Sequence, residues 1–247
     1  MKVVVALFCL CSALVPAVVL AQNTQPPPRL EQRFETAYVG VAGNSSSNTF
    51  SVGADVIARP DSWLIRDKLT FVRNEADGIL AAKAFEYLGR VQKTLNPQAS
   101  TFAEYDFFRD PFAGVIRRQA GTVGFALNAL ARPTPALHVD LGAGYTNERR
   151  ETGENVSSGS YLVGADYKLT LSANADLTDD LRVSGIFNDA RNWHAEHTVA
   201  VTTKLAGGLS LKVSNALRFA NFPPPGFRRT DSVTSVALVA KFTRPAK

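Results

Sequence analysis

The side chains of this sequence best suited to chemistry are its three histidines, two of which form the pair His194-x-x-His197. Such a pair could hold a metal ion if the segment from Trp193 to His197 formed a turn. On a β-strand, however, residues three apart point to opposite faces, and the sequence offers no obvious third ligand beside them. We therefore interpret both histidines as residues near the rim of a sheet, and expect neither a metal site nor a cofactor.

His138 and Asp140 are the second candidate, because they share one row of a predicted strand. A His–Asp pair can orient a nucleophilic serine. No Gly-x-Ser-x-Gly motif accompanies the pair, and serines are common enough for a chance match. We therefore predict a protein that is not an enzyme, and keep a lipid-modifying enzyme as an alternative.

Strands are the elements that must position these residues. Strand-like segments repeat to the end of the chain, and most have about the ten residues that a tilted strand needs to cross a bilayer. We predict about twelve: Gln32–Gly43, Thr49–Arg59, Leu64–Arg73, Ile79–Thr94, Thr101–Arg109, Val115–Ala131, Leu137–Glu148, Ser160–Asn174, Leu181–Ala190, His194–Leu205, Leu209–Asn221 and Thr230–Phe242.

Within most of these segments, apolar and polar residues alternate with period two, which indicates strands with two different faces. In the segment from Leu137 to Thr146, leucine, valine, alanine and tyrosine oppose histidine, aspartate, glycine and threonine. The last segment ends in Phe242, and a terminal aromatic residue resembles the sorting signal of bacterial outer-membrane barrels. Three places fit poorly: Gln32–Gly43 alternates badly, Asp67 shares an apolar row, and Arg117 and Arg118 are adjacent.

The polar rows carry many charged residues of both signs. These could line a water-filled pore and set its ion selectivity, or pair across the interior and fill it. The candidates for an inward row are Asp55, Arg66, Lys68, Glu86, Arg90, Glu104, Asp106, Asp140, Asp166, Lys168, Arg182, Lys212, Arg218 and Lys241.

The connections between the segments alternate between short, turn-like ones and longer or more polar ones, as on the two rims of an up-and-down barrel. Aromatic residues near the strand ends could form interfacial girdles: Trp63, Tyr145, Tyr161, Trp193 and Phe242. The fold class we predict is all-β, a closed antiparallel up-and-down transmembrane β-barrel of about 12 strands. The alternative is a soluble periplasmic β-protein that buries the apolar rows and binds an apolar ligand.

The N-terminus reads as a cleaved signal peptide, residues 1–21, with Lys2 before an apolar run and cleavage between Ala21 and Gln22. Residues 22–30 follow as a polar, proline-rich leader, and residues 31–247 form the barrel. A membrane anchor is the alternative for the apolar run. Cys9 and Cys11 leave with the signal peptide, so the mature chain has no thiol.

The net charge of +5 reflects a small excess among mixed charges. The sequence shows no cluster of basic and aromatic residues of the kind that binds nucleic acid. We therefore expect no nucleic-acid partner.

Six motifs in order resemble a family of bacterial salt-induced outer-membrane proteins of unknown function, over Arg33 to Phe242. The motifs are Gly43-Asn44, Tyr105 to Phe112 with its Phe-Arg-Asp-Pro-Phe core, Arg117-Arg118, Gly142-Ala143-Gly144-Tyr145 followed by Glu148, Leu209-Ser210-Leu211-Lys212, and Pro225-Gly226 before Thr230-Asp231. The resemblance implies an outer-membrane β-barrel connected with salt stress, and no reaction. An outer-membrane barrel would have outer-membrane lipid as a partner, and the barrel-assembly machinery and periplasmic chaperones during biogenesis.

Overall fold

The computed structural model describes residues 27–41, 47–132 and 134–245, without the side chains of residues 39–41 and 47. The predicted signal peptide, its cleavage point between Ala21 and Gln22, and the predicted leader up to residue 26 lie outside the described residues. Leu30, the last residue of the predicted leader, already belongs to the barrel. The strands are β1 (Leu30–Val41), β2 (Ser47–Ala58), β3 (Trp63–Ala76), β4 (Ile79–Thr94), β5 (Ala99–Asp110), β6 (Val115–Leu130), β7 (Ala136–Arg150), β8 (Asn155–Ser172), β9 (Ala175–Ile186), β10 (Asp189–Lys204), β11 (Leu209–Ala220) and β12 (Thr230–Arg244).

Each strand pairs antiparallel with its neighbours in sequence, and β1 pairs with β12, from Leu30 opposite Arg244 to Ala37 opposite Ala237. This last pairing closes the sheet, so the twelve described strands leave no edge strand to recruit another chain. The predicted closed antiparallel barrel of about 12 strands is confirmed. Both described ends of the chain lie at one rim, which we call the terminal rim, and the other is the distal rim.

The barrel is apolar outside and charged inside. Outward side chains such as Val123 and Phe125 are 63% and 59% exposed, whereas the inward carboxylates of Glu104 and Asp140 are buried. Soluble proteins rarely expose a continuous apolar surface of this kind. The distribution is that of a transmembrane barrel, and the soluble alternative does not fit it. Within the described residues, no helix is long and apolar enough to cross a membrane.

Two stretches that lie between the predicted strands, and were therefore expected to be connections, belong to strands instead. Residues Asp176 to Asp180 belong to β9, which begins at Ala175, and residues Arg191 to Trp193 belong to β10. This run resembles a polar turn because Asp179 lies in the row of Leu177 and Leu181, directly beside Asp180, which breaks the alternation. The predicted distal connection from Asn74 to Gly78 contracts to Asp77-Gly78, both with positive φ, as a two-residue hairpin turn requires.

The aromatic residues predicted for interfacial girdles all lie in the outward row. Trp63 and Phe242 are near the terminal rim, where Phe242 packs edge-on against Phe34, with 6.4 Å between ring centroids. Trp193 packs against Phe219 nearer the distal rim, at 5.1 Å. The two adjacent arginines divide between the faces, with Arg117 exposed and Arg118 buried in the interior.

Candidate functional site

The register places the predicted charged residues in the inward row of the barrel. Directly paired residues point to the same side of a sheet. Arg66 is opposite Arg90, which is opposite Glu104, and Asp55 is opposite Lys68. The same row holds Glu86, Asp106, Asp140, Asp166, Lys168, Arg182, Lys212, Arg218 and Lys241.

Some of these side chains pair along the wall. Arg66 donates two hydrogen bonds to Asp55 on the adjacent strand, at 2.9 and 3.0 Å. Lys241 approaches Glu31 to 3.2 Å, and Lys168 approaches Asp176 to 3.6 Å. These pairs stabilise adjacent strands and leave the middle of the lumen open.

Among the described residues, four ion pairs instead cross the lumen, and we call them the crossing pairs. Arg90 of β4 binds Asp140 of β7, three strands away, with Nη2 3.0 Å from Oδ1. The pair of Arg118 and Glu196 joins β6 to β10 at 3.1 Å. Arg182 of β9 binds Glu104 of β5, and Arg218 of β11 binds Glu86 of β4. The last three pairs join strands four or five positions apart around the barrel, so their side chains span the interior.

Glu104 connects two sides of this arrangement. Its side chain is 2% exposed and accepts hydrogen bonds from both Arg90 and Arg182. The guanidinium of Arg90 also lies over the ring of Phe102, 4.0 Å from its centroid. Because each charge has a partner of opposite sign, their mutual attraction offsets part of the desolvation cost of burying them.

A second aromatic residue, Phe108, lies inward between two of the crossing arginines. The guanidinium carbons of Arg118 and Arg218 are 4.8 and 5.3 Å from its ring centroid. Such contacts favour a cation over an aromatic face. Near these groups the interior holds a cavity of about 50 Å³, bordered by Asp106, His194 and Glu196 among others. It has room for a water molecule or two rather than a solute.

Toward the terminal rim the lumen is open to water. Lys68, Asp166 and Asp180 point inward and are nevertheless exposed. Asp166 and Asp180 are directly paired on β8 and β9, and Arg66 interacts with both electrostatically from β3. Basic and acidic residues therefore face each other across a water-accessible vestibule.

The loop from Asn221 to Arg229 closes the distal mouth from one side. It joins β11 to β12, yet it reaches Gly114, which ends the short 3-10 helix Pro111–Ala113 on the opposite wall. A Cβ atom on Gly114 would lie 2.8 Å from Cδ2 of Phe227 and 2.9 Å from Cγ of Pro224. Glycine is required there both by this close approach and by its φ of 80°.

The histidine hypotheses fare differently in the structure. His194 points into the lumen and His197 points outward, so the pair cannot chelate one ion. His138 shares a 2.6 Å hydrogen bond with Asn128, while both carboxylate oxygens of Asp140 bind Arg90. The proposed His138–Asp140 pair is therefore not formed, and the geometry gives no support to the serine-dependent alternative.

Two acids lie on the outward face, where the sequence pattern predicts apolar residues. Asp67 accepts a 2.7 Å hydrogen bond from the hydroxyl of Tyr87, one strand away. Asp179 shares a 2.7 Å hydrogen bond with His197, also one strand away. A polar group facing lipid is costly unless it is hydrogen-bonded, so these bonds explain how the acids are tolerated.

Replacing Tyr87 by phenylalanine is expected to destabilise the barrel, because Asp67 loses its donor. The loss should be on the order of 1 kcal/mol in the free energy of unfolding, measured by urea titration in lipid vesicles. Tyr145→Phe is the matched control, since the hydroxyl of Tyr145 has no hydrogen-bond partner within the described residues. Equal stability of the two variants would contradict this role of Tyr87.

Several inward residues escaped the sequence reasoning. Arg150 is 1% exposed and donates to Glu148 at 2.7 Å and to Glu154 at 3.2 Å. Continuing the alternation from Asp140 would have reached Glu148 and Arg150. The same alternation from Glu104 reaches Phe102 and Phe108, but their aromatic side chains are typical of the apolar outer row, so their residue type gave no sign that they face the lumen.

The sequence matches, over residues 34–242, the family described as a protein of unknown function, DUF481. The chain belongs to this family. The extent agrees with the resemblance predicted over Arg33 to Phe242, while the connection with salt stress stays a prediction. A search of curated proteins finds no match for this DUF481 protein.

Solved structures share the barrel fold at low sequence identity. The COG4313 outer membrane channel from Pseudomonas putida F1 has a TM-score of 0.52 and 11% identity, over 88% of this DUF481 chain and 96% of that chain. The NanC porin has a TM-score of 0.47 and 10% identity, over 88% and 100%. The translocator domain of the autotransporter NalP from Neisseria meningitidis has a TM-score of 0.45 and 10% identity, over 89% of this chain and 90% of that chain. At these identities the similarity concerns the fold alone.

Proposed function

We propose that this protein is a non-enzymatic outer-membrane barrel that forms a narrow pore for small ions, held in a low-conductance state by its crossing pairs. The observation that carries the proposal is that four ion pairs connect walls three to five strands apart. Each consists of flexible side chains, so a pair can separate while the wall stays intact.

The chemistry of the interior favours a pore over a purely structural barrel. Replacing a buried ion pair by well-packed apolar residues is often neutral or stabilising. A barrel that only strengthens the envelope could therefore be filled with apolar side chains. The interior instead keeps opposed charges, and a vestibule in which Lys68, Asp166 and Asp180 meet water.

The proposed orientation has the terminal rim in the periplasm. The longest described connection, Asn221 to Arg229, lies at the distal rim, and outer-membrane barrels carry their longer loops outside. The proposal includes a signal peptide removed between Ala21 and Gln22, and insertion by the barrel-assembly machinery with periplasmic chaperones. Membrane fractionation and a heat-modifiable band in detergent test it. Recovery in the soluble periplasmic fraction would overturn it.

Planar-bilayer recording of the purified, refolded protein tests the pore directly. We expect small discrete steps with a measurable cation or anion preference. Silence from protein shown to be inserted would favour a structural envelope role and overturn the pore.

Salt is expected to weaken the crossing pairs by screening their charges. This screening is a physical mechanism for the proposed connection with salt stress. The Debye length falls from about 10 Å at 0.1 M salt to about 3 Å at 1 M. The partly exposed pairs, such as Arg218 with Glu86 at 28% and 26%, should respond most. Single-channel conductance should therefore rise more steeply than bulk conductivity over this range. Strict proportionality to bulk conductivity would contradict a salt-sensitive gate.

A further inference from the structure

Four basic side chains form an arc on the outer surface, close to the distal rim, and we call Lys83, Arg109, Arg117 and Arg149 the basic arc. They lie on β4, β5, β6 and β7 in turn, and all four are exposed. Within the described residues, none has a hydrogen bond or an ion pair. At one end of the arc Arg73, opposite Lys83 on β3, is bound by Glu75.

The register makes the members of the basic arc neighbours. Arg117 is directly opposite Arg149. Arg109 and Arg117 lie on adjacent strands, each two residues from the paired Phe107 and Gln119. Lys83 is a diagonal neighbour of Arg109, since it lies two residues from Phe85, which is opposite Arg109. The charges therefore form one row rather than a scatter.

Such a row is unfavourable by itself. Like charges directly opposite each other destabilise a strand pair, and repulsion strengthens where the surroundings have a low dielectric constant. An anion bound from outside the chain would relieve the repulsion between these unpaired basic side chains.

Below the basic arc, toward the middle of the membrane, the outward surface is aromatic. Phe85 and Phe107 pack edge-on with ring centroids 5.9 Å apart, and Tyr145 is 58% exposed. A ligand that fits both surfaces has an anionic head at the distal rim and apolar chains along the barrel wall.

The other side of the barrel lacks this combination. There Arg191 is paired with Asp189 at 3.0 Å and lies against the ring of Phe222. The neighbouring outward residues Trp193 and Phe219 are aromatic. Near the distal rim, the unpaired basic side chains of the described strands therefore lie on one face, while the exposed Arg228 and Arg229 belong to the loop between β11 and β12. A row of charges fixed on the barrel wall fits a bound ligand better than general attraction to anionic lipid.

We propose that the basic arc binds the phosphate groups of a phosphorylated, multiply acylated lipid, the chemistry of the lipid A portion of lipopolysaccharide. The inference rests on the proposed location in the outer membrane, with the distal rim at the outer leaflet, which contains lipopolysaccharide. Arg117 and Arg149 bind phosphate through planar, multidentate guanidinium groups, and Phe85, Phe107 and Tyr145 contact the acyl chains.

The test measures binding of lipid A to the refolded full chain in phosphatidylcholine nanodiscs. Wild type is compared with the double variant Arg117→Gln/Arg149→Gln. Each basic residue near an anionic surface contributes about fivefold in affinity, so the double variant should bind about 25-fold more weakly. Arg191→Gln/Arg228→Gln is the matched control, because it removes the same charge near the same rim outside the basic arc, and it should bind as wild type does.

The same samples separate the competing explanations. Without lipid A, the arc variant should be at least as stable as wild type, because it has lost repulsion between like charges. Equal lipid A affinity of the arc and control variants would overturn the proposal. The proposal would also be overturned if phosphatidylglycerol, or inorganic phosphate alone, bound to the wild type as tightly as lipid A does. The bilayer conductance of the arc variant should equal that of the wild type, because the basic arc lies outside the lumen. A failure of the pore proposal would instead appear as an absence of conductance in the wild type, whatever the lipid A affinity is.

Discussion

Replacing both Arg182 and Arg218 by alanine is expected to raise the single-channel conductance several-fold. Each arginine reaches across the lumen to a carboxylate four or five strands away. Alanine ends at Cβ, so the variant removes two obstructions without altering the outward surface. The carboxylates of Glu104 and Glu86 remain, and the open pore should therefore prefer cations.

The opposite variant, Glu86→Gln/Glu196→Gln, is the matched comparison. It releases Arg218 and Arg118 from their carboxylates and leaves the positive charge in the lumen. Its preference should move toward anions, measured as reversal potential in a salt gradient. Arg73→Ala, at the outer surface, should leave both conductance and selectivity unchanged.

The loop at the distal mouth supplies a second barrier. If the arginine variant alone conducts as wild type does, adding Phe227→Ser, which loosens the loop from Gly114, separates the two barriers. Unchanged conductance in the combined variant would mean that the crossing pairs do not limit the passage of ions. The proposal that they hold the pore in a low-conductance state would then be wrong.

Replacing Glu104 by alanine is expected to cause the largest loss of stability among the charged residues. Its side chain is 2% exposed and bound by two arginines. Removing one partner of a buried ion pair costs about 3–5 kcal/mol, because the remaining charge stays buried without compensation. Arg90 keeps Asp140, so Arg182 is the residue that loses its partner. Because the Arg182 side chain is 29% exposed, we expect a loss at the lower end of this range, about 3 kcal/mol.

Urea titration in lipid vesicles measures this loss. Glu75→Ala is the control, because it also removes a glutamate bound to an arginine, but one with side chains 33% and 52% exposed. Exposed pairs contribute about 0–1 kcal/mol. The double variant Glu104→Ala/Arg182→Ala should regain part of the lost stability, since it removes the stranded charge. Equal losses for Glu104→Ala and Glu75→Ala would show that the interior pairs are no stronger than surface ones.

The alternation of residues was enough to predict strands of the right number and faces of the right chemistry. A strand's side chains alternate strictly, so Leu141 and Asp140 report their faces from local sequence alone. The same rule placed Glu104 and Arg182 in the inward row. The rule also placed Asp67 in an apolar row, where the structure has it, but local sequence carries no record of Tyr87, the residue on the next strand that hydrogen-bonds to it. Asp179 fell in a predicted connection, so its outward position was not predicted.

Strand boundaries were predicted less well than strand faces. In β9 Asp179 lies in the row of Leu177 and Leu181, so the alternation is broken, and a polar run of this kind is equally typical of a turn. Pairing with β8 and β10 decided the matter, with Asp180 opposite both Asp166 and Thr198. A strand's ends depend on how far its neighbours continue the ladder, which is a property of the sheet.

By itself the sequence determined a barrel with an apolar outer surface and charges of both signs inside. Only the tertiary structure decided that Arg182 meets Glu104, that Arg218 meets Glu86, and that the loop carrying Phe227 reaches Gly114. Each of these contacts joins residues far apart in the chain and on different walls. Their meeting depends on the number and stagger of the strands that close the barrel, and a period of two along one strand does not encode which residue lies across the lumen.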